Sequence, residues 1–589
     1  MDVNTCSDVY AMENIKHHFK VFAGPGAGKT KWLIDHIGRV LRESTRLGKT
    51  RKIACITYTN VAADEIKKRL NCDLYRVEVS TIHSFLYRNL IKPFSFLIEN
   101  DQSGNSLVNI NEMTGHVEHI PRWDRVSSWI SEIEELNSKR YGYLKNKENK
   151  KKIYKYFPTM DWFLSDEQYE LKIRKRFHNL SIPTKNGELL LYKKAYWRYG
   201  ILHHEDVLYF SHYIISNYPN TLDFIRARFP YIFVDEFQDT TQLQTNIIKM
   251  IAEKETIVGV IGDLAQSIYM FTGAQKHDFE NFILDGIQEY KIEQNHRSSR
   301  EIITYLNTLR TDIQQKEIET TIDVYPVTLL IGDIELAREW IKENCHIEPI
   351  ILTRNNSKAN ELKHHLNGSE SNYNLINDLY GYDSNKKRPA FINSLLVARD
   401  YSIKNNNKDS IKEISKYLKL DKDGKKISPL IIRKLSVIII DKMLDNEFID
   451  KTIFDAYTLI TELLENCNIR IAANYGKGKA GGKAKKFAES HTLADLVPYI
   501  KTETKQEEKI RTIHSAKGAE FDSVLLVLED EKEFKKWVVD CANQIENVSE
   551  DEARIYYVAM SRARKYLFIN VPTLENKSNL YGGFNIIYM

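Results

Sequence analysis

The sequence predicts an α/β protein with two parallel-sheet cores, each carrying a mainly helical insertion, and three observations predict it. Short apolar runs fall in two groups, at 20–23, 52–57, 231–234 and 257–261, and again at 349–353, 523–528 and 566–570. A glycine-rich turn, AGPGAGKT (Ala23 to Thr30), follows the first run, and helical spacing from Lys31 to Leu47 leads into the second, a strand, phosphate loop, helix, strand unit. The stretches between these runs are rich in charged and aromatic residues at helical spacing, as in WISEIEELNSKRYGYL. The expected organisation is a first core of 1–85 and 200–280 around an insertion of 86–199, and a second core of 281–364 and 506–589 around an insertion of 365–505.

A chain of 589 residues exceeds what one hydrophobic core supports. Its 42% hydrophobic and 28% charged residues place it among ordinary globular proteins. The formal charge of +4 gives no general argument for a polyanionic partner. The first residues, MDVNTCSDVY, are polar and acidic where a signal peptide is basic and then apolar, and no apolar run has the length of a membrane span. A cytoplasmic protein with no membrane partner is expected. The six cysteines form no CxxC pair, so neither a zinc site nor a disulfide framework is suggested. Two basic runs, KNKENKKKIYK (145–155) and GKGKAGGKAKK (476–486), stand inside the insertions, the second with the composition of a mobile loop.

In Ala23, Gly24, Pro25, Gly26, Ala27 and Gly28 the small residues let backbone N–H groups face phosphates at a helix N-terminus. Lys29 reaches the β and γ phosphates, and Thr30 offers a hydroxyl to magnesium. The apolar run YIFV delivers Asp235 and Glu236 to a strand's carboxyl end. Asp235 suits magnesium binding through water, and Glu236 suits the general base that polarises an attacking water. ATP and Mg2+ are therefore the expected cofactors.

Around these sites the sequence resembles the UvrD/Rep/PcrA group of superfamily-one helicases, in blocks that follow the family's order. TYTNVAADEI (57–66) and STIHSF (80–85) resemble its single-stranded DNA contacts, IGDLAQSIYMFTGA (261–274) its third motif, and IEQNHRSS (292–299) and ILTRNN (351–356) the segments after it. RTIHSAKGAEF (511–521) resembles the fifth motif and YYVAMSRA (556–563) the last. The resemblance implies two RecA-like domains with the nucleotide in the cleft between them. It implies that Gln266 senses the γ phosphate, that Arg297 and Arg562 act as arginine fingers, and that Glu520 binds the ribose. It places Tyr58, Thr59, Asn60, His83, Tyr269, Phe271 and His514 on the DNA side, with the aromatic residues as stacking faces. Movement from three-prime to five-prime on single-stranded DNA, with a tailed duplex as the unwinding substrate, comes with the family.

Departures from the family pattern cluster on the adenine pocket. Residues 1–20 contain no glutamine where the family has its base reader, the stacking tyrosine is replaced by His296, and Lys31 stands for the arginine after GKT. Relaxed base selectivity is the expectation. Thr272 and Ala519 replace the family's arginine and leucine in the third and fifth motifs. The compact insertions and the early end of the chain are similar to helicase subunits that act beside a separate nuclease in bacterial antiphage systems such as Gabija. Phage defence and DNA repair are thus the two settings the resemblance suggests, and a nucleotide-gated DNA sensor that regulates a partner nuclease is the alternative to an autonomous motor.

Overall fold

The computed structural model describes residues 4–5, 9, 12–70, 75–101, 104–113, 115–136, 142, 144–165, 168–173, 186–268, 276–322, 324–355, 358–359, 361–362, 375–383, 385, 387–403, 406–418, 421–422, 427–469, 471, 475, 482–497, 500, 509–540, 551–574 and 584–589. Two compact units are present, one of residues 1–360 and 509–589 and one of residues 361–508.

The larger unit holds both sheets, and every strand pair in them is parallel. The first sheet runs Asn4–Thr5, Gln288–Ile292, Phe19–Ala23, Ile257–Gly262, Tyr231–Val234, Ile53–Thr57, Val77–Thr81. Its central strands are buried along their length, which is why they read as continuous apolar runs. Phe19–Ala23 lies between Gln288–Ile292 and Ile257–Gly262, so the phosphate loop leaves the carboxyl edge where the strand order reverses direction. Helix Lys29–Glu43 follows because Trp32, Leu33, Ile37 and Val40 recur on one face and pack under the sheet.

The second sheet runs Ile510–Thr512, Ile350–Thr353, Phe521–Val527, Ala563–Val571, Thr328–Ile331, Asn585–Tyr588. The α/β class with two parallel sheets is therefore as the apolar runs indicate. Two expectations change. The strand Gln288–Ile292, assigned by sequence to the second core, pairs with Phe19–Ala23, so the chain leaves the first sheet after Ile292. Its polar residues Gln288, Glu289 and Lys291 concealed it, because it stands near the sheet edge and is only partly covered. Residues 86–199, expected without strands, contain an antiparallel hairpin of Met160–Ser165 and Gln168–Ile173. The alternation in that hairpin is weak against the surrounding helical spacing.

Among the described residues the first insertion shares its core with the first sheet. Trp129, Tyr192 and Trp197, from helices Trp123–Leu136 and Asn186–Trp197, share one apolar cluster with Phe210 of helix His204–Asn217 and with Ile56, Ile232, Val234 and Val260 of the first sheet. The smaller unit is helical, with its own core of Phe391, Leu395, Leu396, Ile439, Ile453, Tyr457 and Ile460. Pro429 at the start of Pro429–Leu444 and the Thr452 hydroxyl, which accepts from Asp455 N at 3.1 Å, set two of its helix starts. Among the described residues no helix is long and apolar enough to cross a membrane.

Candidate nucleotide site and nucleic-acid cleft

The phosphate loop takes its shape from two left-handed glycines, Gly26 at φ 71° and Gly28 at φ 74°, the second serving as the N-cap of Lys29–Glu43. Lys29 Nζ lies 3.4 Å from the carbonyl of Ala23, folded across the loop it serves. Thr30 is in the first helical turn, and Lys31 points to solvent. His296 lies over the loop, its backbone N–H donating to Gly26 O at 2.8 Å.

Asp235 and Glu236 follow Tyr231–Val234, two strands along the same edge. The Asp235 N–H donates to Ile56 O at 2.8 Å, and its carboxylate accepts the Glu236 N–H at 3.0 Å. Glu236 adopts φ 54°, a left-handed conformation that a non-glycine residue holds only when its surroundings impose it. Burial and the adjacent Glu236 charge push the Asp235 carboxyl up to about 7, against the pull of Lys29. Burial pushes Glu236 the same way, yet Lys29, Lys517, Gln238 and Arg562 outweigh it and hold Glu236 below its ordinary value, hence ionised. Gln238 Nε2 donates to Glu236 Oε2 at 2.5 Å. Two adjacent buried carboxylates with the Thr30 hydroxyl on the loop two strands along the same edge are a hard oxygen donor set that fits Mg2+.

Arg562 comes from the second core to this edge. It is 2% exposed and donates to Gln266 Oε1 at 2.6 Å and to Val558 O at 3.0 Å. Gln266 in turn donates to Asp263 Oδ2 at 2.5 Å, and the other oxygen of Asp263 accepts from buried Arg310 at 3.1 Å, which also reaches Tyr557. Arg310, Asp263, Gln266 and Arg562 thus form one buried chain across the two cores. Lys517 adds a second crossing, ion-paired to Asp239 at 2.5 Å and donating to Gln266 O at 2.8 Å. Arg297 has its Cβ beside Gly26, while its guanidinium donates to Glu520 Oε1 at 2.6 Å and Ser561 O at 3.1 Å. The structure therefore brings Arg297 and Glu520 together as an ion pair with each other.

A cleft of about 600 Å³ opens between the first core and its insertion. Tyr58, Thr59, Asn60 and His83 line it, joined by His116 and Met160 from the insertion and His204 from the helix that follows it. Among the described residues its wall carries Glu118, Asp161, Glu205 and Asp239 and no lysine or arginine. Burial and the neighbouring His204 and His116 hold His83 down at about 3, and burial with His204 holds His116 at about 4. The imidazoles are neutral at physiological pH, so this wall offers hydrogen-bonding and stacking groups rather than cations for phosphates. His514, on the short helix Ile513–Ala516, is not in the cleft. Tyr269, Phe271 and Thr272 lie outside the described residues, as does most of the basic run at 476–486.

Behind the cleft the insertion and the helix His204–Asn217 that follows it share a buried ion cluster. Lys193 Nζ pairs with Asp206 at 2.9 Å and with Glu205, and Asp206 also accepts from the indoles of Trp162 at 3.2 Å and Trp197 at 3.1 Å. His119, His203 and Glu205 bring ligand atoms within 4.8 Å of one another, the spacing of a metal site among the described residues. The Lys193 ammonium is already 3.2 Å from His203 Nδ1 and bonded to Glu205, so it supplies the positive charge there.

Sequence reasoning missed Asp263, Arg310, Asn295, Gln315, His116 and His204. Asp263 and Asn295 lie inside quoted motifs, and only their partners reveal their work. Arg310, Gln315, His116 and His204 belong to no motif and are placed by tertiary contacts alone.

Comparison with known proteins agrees with this geometry. Residues 7–287 match the UvrD/REP helicase N-terminal domain family and residues 469–573 the UvrD-like helicase C-terminal domain family. The chain is 24% identical to the probable DNA helicase II homolog of Rickettsia felis, over 95% of this chain and 91% of that protein. It is 22% identical to the ATP-dependent DNA helicase PcrA of Staphylococcus epidermidis, over 94% of this chain and 81% of the relative. DNA helicase II of Salmonella typhimurium is 28% identical over 49% of this chain and 38% of its own length.

Proposed function

Because this chain carries both the N-terminal and the C-terminal domain of UvrD-like helicases and is an ATP-dependent DNA helicase, we propose that it translocates from three-prime to five-prime on single-stranded DNA, using the phosphate loop and the two arginines as its engine. The observation that carries the reading is the 2.6 Å contact between Arg562 of the second core and Gln266 of the first, in the network that keeps Glu236 ionised.

In this reading the loop N–H groups and Lys29 hold the β and γ phosphates, with Thr30 and Asp235 as the residues that hold magnesium. When bound, Mg2+ neutralises charge on the β and γ oxygens. Glu236, fixed by its left-handed backbone and by Gln238, accepts the proton of the attacking water. Gln266 exchanges its contact with Arg562 for the γ phosphate, which frees both groups to meet developing charge. Arginine suits this role because its planar fork stays charged and matches phosphate oxygens. Glu520 releases Arg297 toward the phosphates as the cores close. Tyr58, Thr59, Asn60 and His83 hold the strand by its bases and sugars, because the described residues of the cleft wall offer neutral and stacking groups rather than cations.

Strand displacement tests the reading. A duplex with a three-prime tail is expected to be unwound with ATP, and one with a five-prime tail left intact. Unwinding from the five-prime tail alone reverses the direction. Hydrolysis that DNA stimulates without any strand displacement favours a nucleotide-gated sensor that regulates a partner such as a nuclease.

Base selectivity is a second expected result. With no glutamine among residues 1–20 and an exposed His296 over the loop, ATP and GTP are expected to be hydrolysed with comparable kcat/KM. A preference for ATP above about a hundredfold would overturn this, since a dedicated hydrogen-bonding reader supplies about 10⁴- to 10⁵-fold.

A further inference from the structure

We infer that Gln315, a residue of no recognised motif, is a positioning residue for nucleotide binding that holds the phosphate loop in register with the second core. The inference rests on the reading of Ala23 to Thr30 as the nucleotide site.

Gln315 is 4% exposed, and its carboxamide lies on the loop itself. Its Nε2 donates to Pro25 O at 2.7 Å, and its Oε1 accepts from Asn295 Nδ2 at 3.1 Å. Asn295 Nδ2 also reaches Pro25 O, at 3.2 Å. The Pro25 carbonyl is therefore held by two amides that both come from the segment following the first sheet. A trans peptide is planar, with its C=O and N–H on opposite sides, so fixing the Pro25 oxygen fixes the direction of the Gly26 N–H. Phosphate loops bind through the direction of such N–H groups. The approach is close enough to require glycine: a Cβ on Gly24 would lie 2.6 Å from Gln315 Nε2.

The other end of Gln315 is tied to the second core. Its N–H donates to Asn307 Oδ1 at 2.8 Å, and its carbonyl accepts from Asn307 Nδ2 at 2.8 Å. Asn307 belongs to helix Arg300–Thr308, whose Ile302 and Leu306 lie in the second-core apolar cluster. Movement of that core is carried through Asn307 to Gln315 and so to the Pro25 peptide.

The test uses the full chain and a fluorescent ADP analogue, with DNA-stimulated ATP hydrolysis measured in parallel. Gln315→Met keeps the length and removes the donor. It is expected to raise both the analogue's Kd and the KM for ATP about tenfold, the size of effect that follows when a buried carbonyl loses a donor, with kcat unchanged. Gln315→Glu is expected to lose affinity at neutral pH and regain it as pH falls, because a protonated carboxyl donates to Pro25 O again. Neither the intact protein nor Gln315→Met should show that recovery. A lower melting temperature with unchanged Kd and KM would make Gln315 a packing residue and overturn the inference, as would a Gln315→Glu affinity that does not vary with pH. Lys29→Ala separates the premise from the inference. Loss of analogue binding in that variant sustains the phosphate-loop reading and leaves Gln315 to be decided by its own variants, whereas undiminished binding would remove the premise and the inference with it.

Discussion

Glu236→Gln is expected to abolish DNA-stimulated ATP hydrolysis, lowering kcat by about 10²- to 10⁴-fold, the range attributed to a positioned general base. The substitution is isosteric, and the backbone at φ 54° stays as it is, so nucleotide binding should persist. The reason for the large loss lies in the charge balance around the side chain. Lys29, Lys517, Gln238 and Arg562 overcome the burial that would otherwise protonate Glu236, and a carboxamide has no proton-accepting charge to stabilise. Steady-state hydrolysis with and without single-stranded DNA, beside fluorescent-nucleotide binding, measures both halves of the statement. Turnover close to that of the intact protein would remove Glu236 from the role of base. Lost binding together with lost turnover would make it a site-shaping residue instead.

Lys193→Met carries the largest expected loss of stability. It leaves Glu205 and Asp206 buried without their cation, and breaking a buried pair from one side costs about 3 to 5 kcal/mol. The pH dependence distinguishes this cause from simple packing. In the intact protein burial opposes ionisation of Glu205, but Lys193 and His119 outweigh it and bring that carboxyl down to about 2, with Asp206 also lowered; Lys193 is raised by the two carboxylates despite its burial. The carboxylates' contribution is present above the ordinary carboxylate range and is lost as pH falls through their lowered values. The lysine's contribution is present below its ordinary value and is lost as pH rises through its raised one. Between about pH 7 and 10 the cluster therefore contributes evenly, and below that His119, whose charged form burial disfavours, withdraws stability as pH falls. In the variant the balance changes, because His119 is held at about 4 by burial and then by Lys193. With that charge gone, Glu205 draws a proton onto His119 as pH falls, and the proton replaces part of the lost cation. Thermal melts of both proteins at about pH 6 and 8 should show the larger deficit at the higher pH, since His is the group that titrates between them. An equal deficit at both would assign the loss to packing.

The legible parts of the site are those built from consecutive residues. The glycines of the phosphate loop, the apolar run that ends in Asp235 and Glu236, and the arginines inside their motifs were all readable, because each chemical demand there is met within about ten positions of chain. The seven strands read from apolar runs are present because a strand buried on both faces has no polar alternation to hide it. Strands such as Gln288–Ile292 and Asn585–Tyr588 were not legible, since a partly exposed strand near an edge has little apolar signature. The His116 and His204 contact, with Nδ1 atoms 2.7 Å apart, joins residues 88 positions distant and has no sequence period.

By itself the sequence determined the fold class and the family of its motifs, and it singled out Glu236 as the candidate for the water-activating carboxylate, since local spacing and apolar patterning encode these directly. Only the tertiary structure decided that Arg562 meets Gln266, that Arg310 joins their chain through Asp263, that Glu520 holds Arg297, and that Gln315 clamps the Pro25 carbonyl. Those contacts cross between two cores. Their partners are chosen by how the sheets pack and by the need of each buried polar group for a hydrogen bond, a demand that any of several amides or guanidinium groups along the chain satisfies until the fold selects one.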